Sequence, residues 1–104
     1  MPGRPGRTRI ESGSGWEPVC GDARAVRVGE RSLVSGTTAT HGPGTVVCPG
    51  DAAGQTVYIL DKIAAAIHAL GGSLEDVVRT RIYVRDAALW EPVARIHGRY
   101  FGGI

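Results

Sequence analysis

The stretch Gly71-Gly72-Ser73-Leu74-Glu75-Asp76-Val77-Val78-Arg79-Thr80-Arg81-Ile82-Tyr83-Val84 changes structural instruction twice within a few residues. A helical pattern upstream stops at the double glycine. Ser73, with Glu75 and Asp76 close behind it, is placed to accept a backbone N–H and cap a short turn. From Val78 the period becomes two. Val78, Thr80, Ile82 and Val84 fall on one side, and Arg79, Arg81, Tyr83 and Arg85 on the other. This alternation predicts a strand with one buried face.

Upstream, Thr56, Leu60, Ile63, Ile67 and Leu70 recur at helical spacing, which predicts a helix over Gln55–Leu70 with one apolar stripe. Ala64, Ala65 and Ala66 favour helix and allow close approach. Asp61, Lys62 and His68 lie off the stripe. Downstream, Asp86 and its neighbours open a second helix. Pro92 lacks an N–H, so the first turn should fall at about Leu89–Pro92. Leu89, Val93, Ile96 and Tyr100 form its stripe, and Gly102-Gly103 ends it.

Before the first helix, Ala25-Val26-Arg27-Val28 alternates up to a turn at Gly29-Glu30, and Leu33-Val34-Ser35-Gly36 resumes as the partner strand. Thr37 to Gly54 reads as a long loop with room for a small extra strand at Val46-Val47-Cys48; loops of this length in compact domains often carry function. Residues 1–15 hold two prolines, four glycines and two serines. They read as a mobile tail, with Thr8–Ile10 able to pair as a short edge strand. The domain proper is expected over residues 16–104. The order β, β, α, β, α with single-striped helices predicts an α+β fold with both helices on one face of a sheet.

With 104 residues, 42% of them hydrophobic, the chain can form one domain with a small core. No apolar run is long enough to span a membrane, and the first residues lack the apolar core of a secretory signal. The formal charge is +2, but Arg4, Arg7 and Arg9 sit in the first ten residues. Without them 12 basic residues become 9 against 10 acidic, so the body is near-neutral and nucleic acid is not the expected partner. Cys20 and Cys48 form no CxxC and read as free thiols of a reducing cytosol, which places the protein in the cytoplasm. No further ligands cluster near them, so no metal site is expected.

Several pieces now stand in order: Ala25-Val26-Arg27-Val28-Gly29, Leu33-Val34-Ser35-Gly36, Gln55-Thr56 at a helix start, Gly72-Ser73-Leu74-Glu75-Asp76-Val77-Val78, and Tyr100-Phe101-Gly102. Over Asp22 to Gly103 this series resembles the RidA family (YjgF, "L-PSP endoribonuclease"). Ser12-Gly13-Ser14, Trp16-Glu17 and Val19 are similar to a subgroup of uncharacterised relatives. The resemblance implies a chorismate-mutase-like α+β sheet and a homotrimer with small-acid ligand clefts between subunits. It implies hydrolysis of 2-imino or enamine acids to 2-keto acids and ammonia, with no metal or cofactor. Some members are described as endoribonucleases. The family's deaminases hold the substrate carboxylate with an arginine on a strand beyond the second helix and place water with a glutamate on the last strand. Neither has a counterpart up to Ile104. The family's tyrosine near the first strand aligns with Asp22 and its asparagine on the second helix with Ala94, while Ser35-Gly36 is retained. A C-terminally incomplete fold, unstable and inactive as a deaminase by itself, is therefore expected.

Candidate ligand-binding residues are Ser35, Gly36, Thr37 and Asp22. The first three either line the inter-subunit cleft or simply end a strand in a glycine turn. Asp22 either polarises a ligand or caps a loop. Arg79 and Arg81 either face an anion or form a solvated or subunit-facing strand side. His41, His68 and His97 have no metal or nuclease spacing, and Cys48 reads as a small buried residue. Three functions follow: an imine/enamine hydrolase, a non-catalytic ligand-binding or interaction module, and, third, a ribonuclease. No catalytic residue is named.

Overall fold

A computed structural model describes residues 6–13, 17–18 and 21–104. The part of the expected mobile tail at residues 1–5 and 14–15 lies outside these, as does Cys20.

Three strands form an antiparallel sheet in the order β1 (Arg7–Ile10), β2 (Ala25–Val28), β3 (Arg31–Val34). Pairing aligns Ile10, Ala25 and Val34 in one row across the sheet. The β2–β3 turn is Gly29-Glu30, and Gly29 takes φ +59°, the left-handed value that a two-residue hairpin with glycine first requires. β1 is the edge strand that Thr8–Ile10 could supply. The long loop folds into a two-stranded hairpin, β4 (Thr40–His41) with β5 (Thr45–Val46). Cys48 is exposed with φ 50°, not buried, because it sits in the turn between this hairpin and the next helix.

Helix α1 runs over Ala52–Ala69, starting three residues before the expected Gln55. Asp51 explains the earlier start: its carboxylate accepts the Gly54 N–H at 2.9 Å and caps the first turn. The helix ends as the double glycine dictates. Gly71 adopts φ +86°, its N–H donates to His68 O at 3.0 Å, and the Gly72 N–H donates to Ile67 O at 3.0 Å, the paired bonds of a Schellman cap. Ala66 and Leu70 pack on Ala25, which is wholly buried, with Ile10 and Val34 beside it. Two alanines facing each other bring helix and sheet close. Arg27 adds a charged tie, donating from Nη1 to the Leu70 carbonyl at 2.7 Å, where a cation complements the helix C-terminus.

Leu74–Asp76 forms a single 3-10 turn. The cap there works mainly from the far side: the Asp76 carboxylate accepts the Ser73 N–H at 2.9 Å. A second 3-10 turn at Ala87–Leu89, capped by Asp86, leads into α2 (Trp90–Phe101), with Pro92 in its first turn. Val93 and Ile96 of α2 are buried. Tyr100 Oη joins the helices, donating to Asp61 Oδ1 of α1 at 2.6 Å.

The expected strand at Val78–Val84 does not form. No other strand pairs with it among the described residues, and every side chain from Val78 to Val84 is exposed, Val78 at 99%. The alternation survives only as a trace: Ile82 and Val84 are about half as exposed as Tyr83, and Thr80 Oγ1 hydrogen-bonds His97 Nε2 of α2 at 2.8 Å. A strand is completed by its neighbour's backbone, and none lies beside this stretch among the described residues. The architecture is α+β, with α1 on the sheet and α2 against α1.

Candidate functional site

At the end of the sheet, one residue before β2, Arg24 extends the ladder in both directions. Its N–H donates to Ile10 O at 2.7 Å, and its carbonyl accepts the Ser35 N–H at 3.0 Å. With the backbone fixed, the side chain is directed along the segment that follows β3. Nη1 donates to Gly36 O at 2.7 Å and to Thr37 Oγ1 at 2.8 Å. Ser35 Oγ donates to Ala23 O at 2.6 Å, and Thr37 Oγ1 donates to Ser35 O at 2.9 Å. The structure thus brings Ser35, Gly36 and Thr37 together around one guanidinium. Both hydroxyls hold the loop rather than project from it.

Arg24 is 8% exposed and Glu17 7%. Their charges lie 3.9 Å apart, and Glu17 also accepts the Ser12 N–H at 3.0 Å and the Ser12 hydroxyl at 2.7 Å. Arg24 Nε is buried without a hydrogen-bond partner among the described residues. Asp22 stands apart: it is exposed, and its backbone carbonyl accepts from Arg9 Nη2 at 3.1 Å.

A second cation comes from α1. Lys62 lies one helical turn after Tyr58, and its Nζ donates to Thr40 O of β4 at 3.0 Å while resting 5.7 Å from the centre of the Tyr58 ring. Tyr58 Oη in turn lies 3.2 Å from His41 Nδ1. Partial burial, reinforced by the Arg24 charge, holds the Lys62 ammonium below the ordinary lysine pKa; Glu17 offsets part of this. Sequence reasoning placed Lys62 off the apolar stripe and passed over Arg24. A charged residue directly beside an apolar strand segment, Arg24-Ala25-Val26, was the available signal.

The family described as Endoribonuclease L-PSP matches residues 19–104. The chain belongs to this family. A Streptomyces coelicolor protein, named only as uncharacterised, is 36% identical over 96 residues, which are 92% of this chain and 71% of that one. Among solved structures, Rv2704 from Mycobacterium tuberculosis, a member of the YjgF/YER057c/UK114 family, superposes with a TM-score of 0.81 at 42% identity. That match covers 93% of this chain and 75% of Rv2704. A Thermotoga maritima protein, provisionally assigned as an endoribonuclease, gives 0.73 at 30% identity over 79% of this chain and 65% of its own. These matches bear out the RidA/YjgF resemblance and the α+β fold. No helix among the described residues is long and apolar enough to cross a membrane.

Proposed function

We propose a RidA-type role for this protein: hydrolysis of the C=N bond of small 2-imino or enamine acids. Water adds to the imine carbon, ammonia leaves, and a 2-keto acid remains. The ligand cleft is assigned to the boundary between subunits of a cytoplasmic homotrimer, with Ser35-Gly36-Thr37 along it. The observation that carries this reading is the Arg24-centred network. It fixes the retained Ser35-Gly36 pair at the end of the sheet, and a rigid loop can place a small acid. The exposed sheet side with Val28 and Leu33 supports the trimer, since it offers apolar surface for a second copy.

Ser35 and Thr37 spend their hydroxyls on the loop, so their role is positioning. The carboxylate-holding arginine and water-placing glutamate of the family's deaminases have no counterpart among residues 1–104. The second reading, a ligand-binding module without chemistry, is favoured by the same engaged hydroxyls. The test is keto-acid release from a freshly generated 2-imino acid, read beside ligand binding. Release above the buffer rate supports the hydrolase. Binding without release selects the module. Cleavage of single-stranded RNA with neither would replace both readings.

A further inference from the structure

The β4–β5 hairpin is held to the molecule by polar ties and little apolar burial. Over residues 38–50 only Ala39 is buried, and Val46 is 55% exposed. Three side chains of α1 reach the hairpin. Gln55 Nε2 donates to Val47 O at 3.2 Å, Lys62 Nζ donates to Thr40 O at 3.0 Å, and Tyr58 Oη lies 3.2 Å from His41 Nδ1. Their spacing puts Gln55, Tyr58 and Lys62 on one face of the helix. All three precede Ala66 and Leu70, the residues by which α1 packs on the sheet. Within the hairpin, the Val47 N–H donates to Ala39 O at 2.8 Å and closes its open end. The segment is also pinned outside itself on both sides. Arg24 clamps Gly36 and Thr37 before it, and the Asp51 cap begins α1 after it. Between each pin and the hairpin lies a point where the chain can turn. Thr38 is exposed, and Cys48 takes φ 50°, a left-handed value that costs energy for a residue other than glycine.

We propose that the β4–β5 hairpin is a flap, latched on α1 by Gln55, Tyr58 and Lys62, that opens about Thr38 and Cys48 while the Ser35–Thr37 loop and the sheet stay in place. The inference does not depend on the chemistry proposed above. It follows from what opening would cost. A segment that buries one alanine loses little apolar contact when it lifts, so the three ties set most of its stability. Each tie is modest, because water replaces a broken hydrogen bond at an exposed site. The Lys62 ammonium also rests 5.7 Å from the centre of the Tyr58 ring, so two of the ties support each other. Arg24 keeps the motion from passing into Gly36 and Thr37. Local opening of this kind moves one segment without unfolding the rest, which is the mechanical requirement of a lid.

The experiment is amide hydrogen exchange of the full chain, read residue by residue and corrected for intrinsic rates. The Val47 N–H reports the flap. The Ser35 N–H, which donates to Arg24 O, reports the sheet end, and the amide of the buried Ala66 reports α1. Val47 should exchange at least about tenfold faster than either of the other two. Equal protection at all three overturns the proposal without any variant, because the hairpin would then open only with the whole domain. Tyr58→Phe removes the hydroxyl and keeps the ring. Lys62→Met removes the donor and keeps most of the stem. Each should speed Val47 exchange by about two- to tenfold, the range for one lost hydrogen bond, and leave Ser35 and Ala66 within about twofold. Val47 exchange that ignores both substitutions overturns the latch. Substitutions that speed Ser35 and Ala66 as much as Val47 overturn the flap, since the ties would then belong to the global fold.

Discussion

β2 and the stretch Val78–Val84 carry the same kind of sequence signal and meet different fates. Both alternate apolar and polar residues. β2 is paired on both sides, and its Ala25 is wholly buried beneath Ala66 and Leu70. Val78–Val84 has no strand beside it among the described residues, and its leading valine is 99% exposed. Alternation states that a segment can serve a sheet; a hydrogen-bonded neighbour and a covering helix decide whether it does. β2 has a neighbour guaranteed locally, because a two-residue turn delivers β3. Val78–Val84 lies between two helices and has to find its partner at long range.

The largest effect that would test this contrast is in the paired half. Leu70 is 4% exposed and belongs to the cluster that joins α1 to the sheet. Leu70→Ala should cost about 2–5 kcal/mol, the range for a buried leucine that leaves a cavity. Urea denaturation measures it. A cost below about 1 kcal/mol would mean that this helix–sheet contact is not the stabilising centre of the fold.

The fold was legible where the signals are local. The hairpin turn at Gly29-Glu30, the Gly71-Gly72 stop and Pro92 near the start of α2 each act on adjacent residues. The start of α1 was missed because Ala52-Ala53-Gly54 continues a glycine-rich run, and the Asp51 cap that begins the helix there looks like one more loop residue. The site was legible in part. Ser35, Gly36 and Thr37 stand together, but what organises them is Arg24, twelve residues from Gly36, and the second cation arrives from a helix. Neither has a spacing rule, since a side chain spanning from one strand end to the next leaves no period in the sequence. Val78–Val84 failed for the converse reason: its pattern is clear, but a pattern does not supply a neighbour.

An effect of middle size probes how α2 is held while the stretch before it is open. Tyr100 Oη donates to Asp61 Oδ1, and this bond, with some burial and the Asp61 charge, raises the phenol from 10.0 to about 12. Removing it by Tyr100→Phe should cost about 0.5–1.5 kcal/mol at neutral pH. The sign of the pH dependence follows from the raised value. The protonated phenol is favoured in the folded chain, so its contribution is complete below the unfolded value of 10.0 and disappears as pH climbs toward about 12. The stability gap between the chain and its Tyr100→Phe variant should therefore be flat from pH 7 to pH 9 and close above pH 10, in denaturant melts buffered across that range. A gap that closes below pH 9 would assign the effect to another group.

The smallest expected effect sharpens the comparison most. Val78→Ala removes two methyl groups from a side chain that is 99% exposed, so it should change stability by no more than about 0.5 kcal/mol in a urea melt of the full chain. The same deletion at a buried valine would cost several times more, because both the transfer of the methyl groups and the cavity would count. The variant therefore reports whether the stretch is covered in solution. A negligible cost keeps it open, and its alternation is then an unused capacity of the chain. A cost approaching that of Leu70→Ala would show Val78 buried against something the isolated chain does not provide. Concentration dependence then separates two cases. If the cost grows with protein concentration, a second copy supplies the cover, because only association makes apparent stability depend on concentration. If it does not, the stretch has folded back on its own chain, and the difference between it and β2 is smaller than the structure describes.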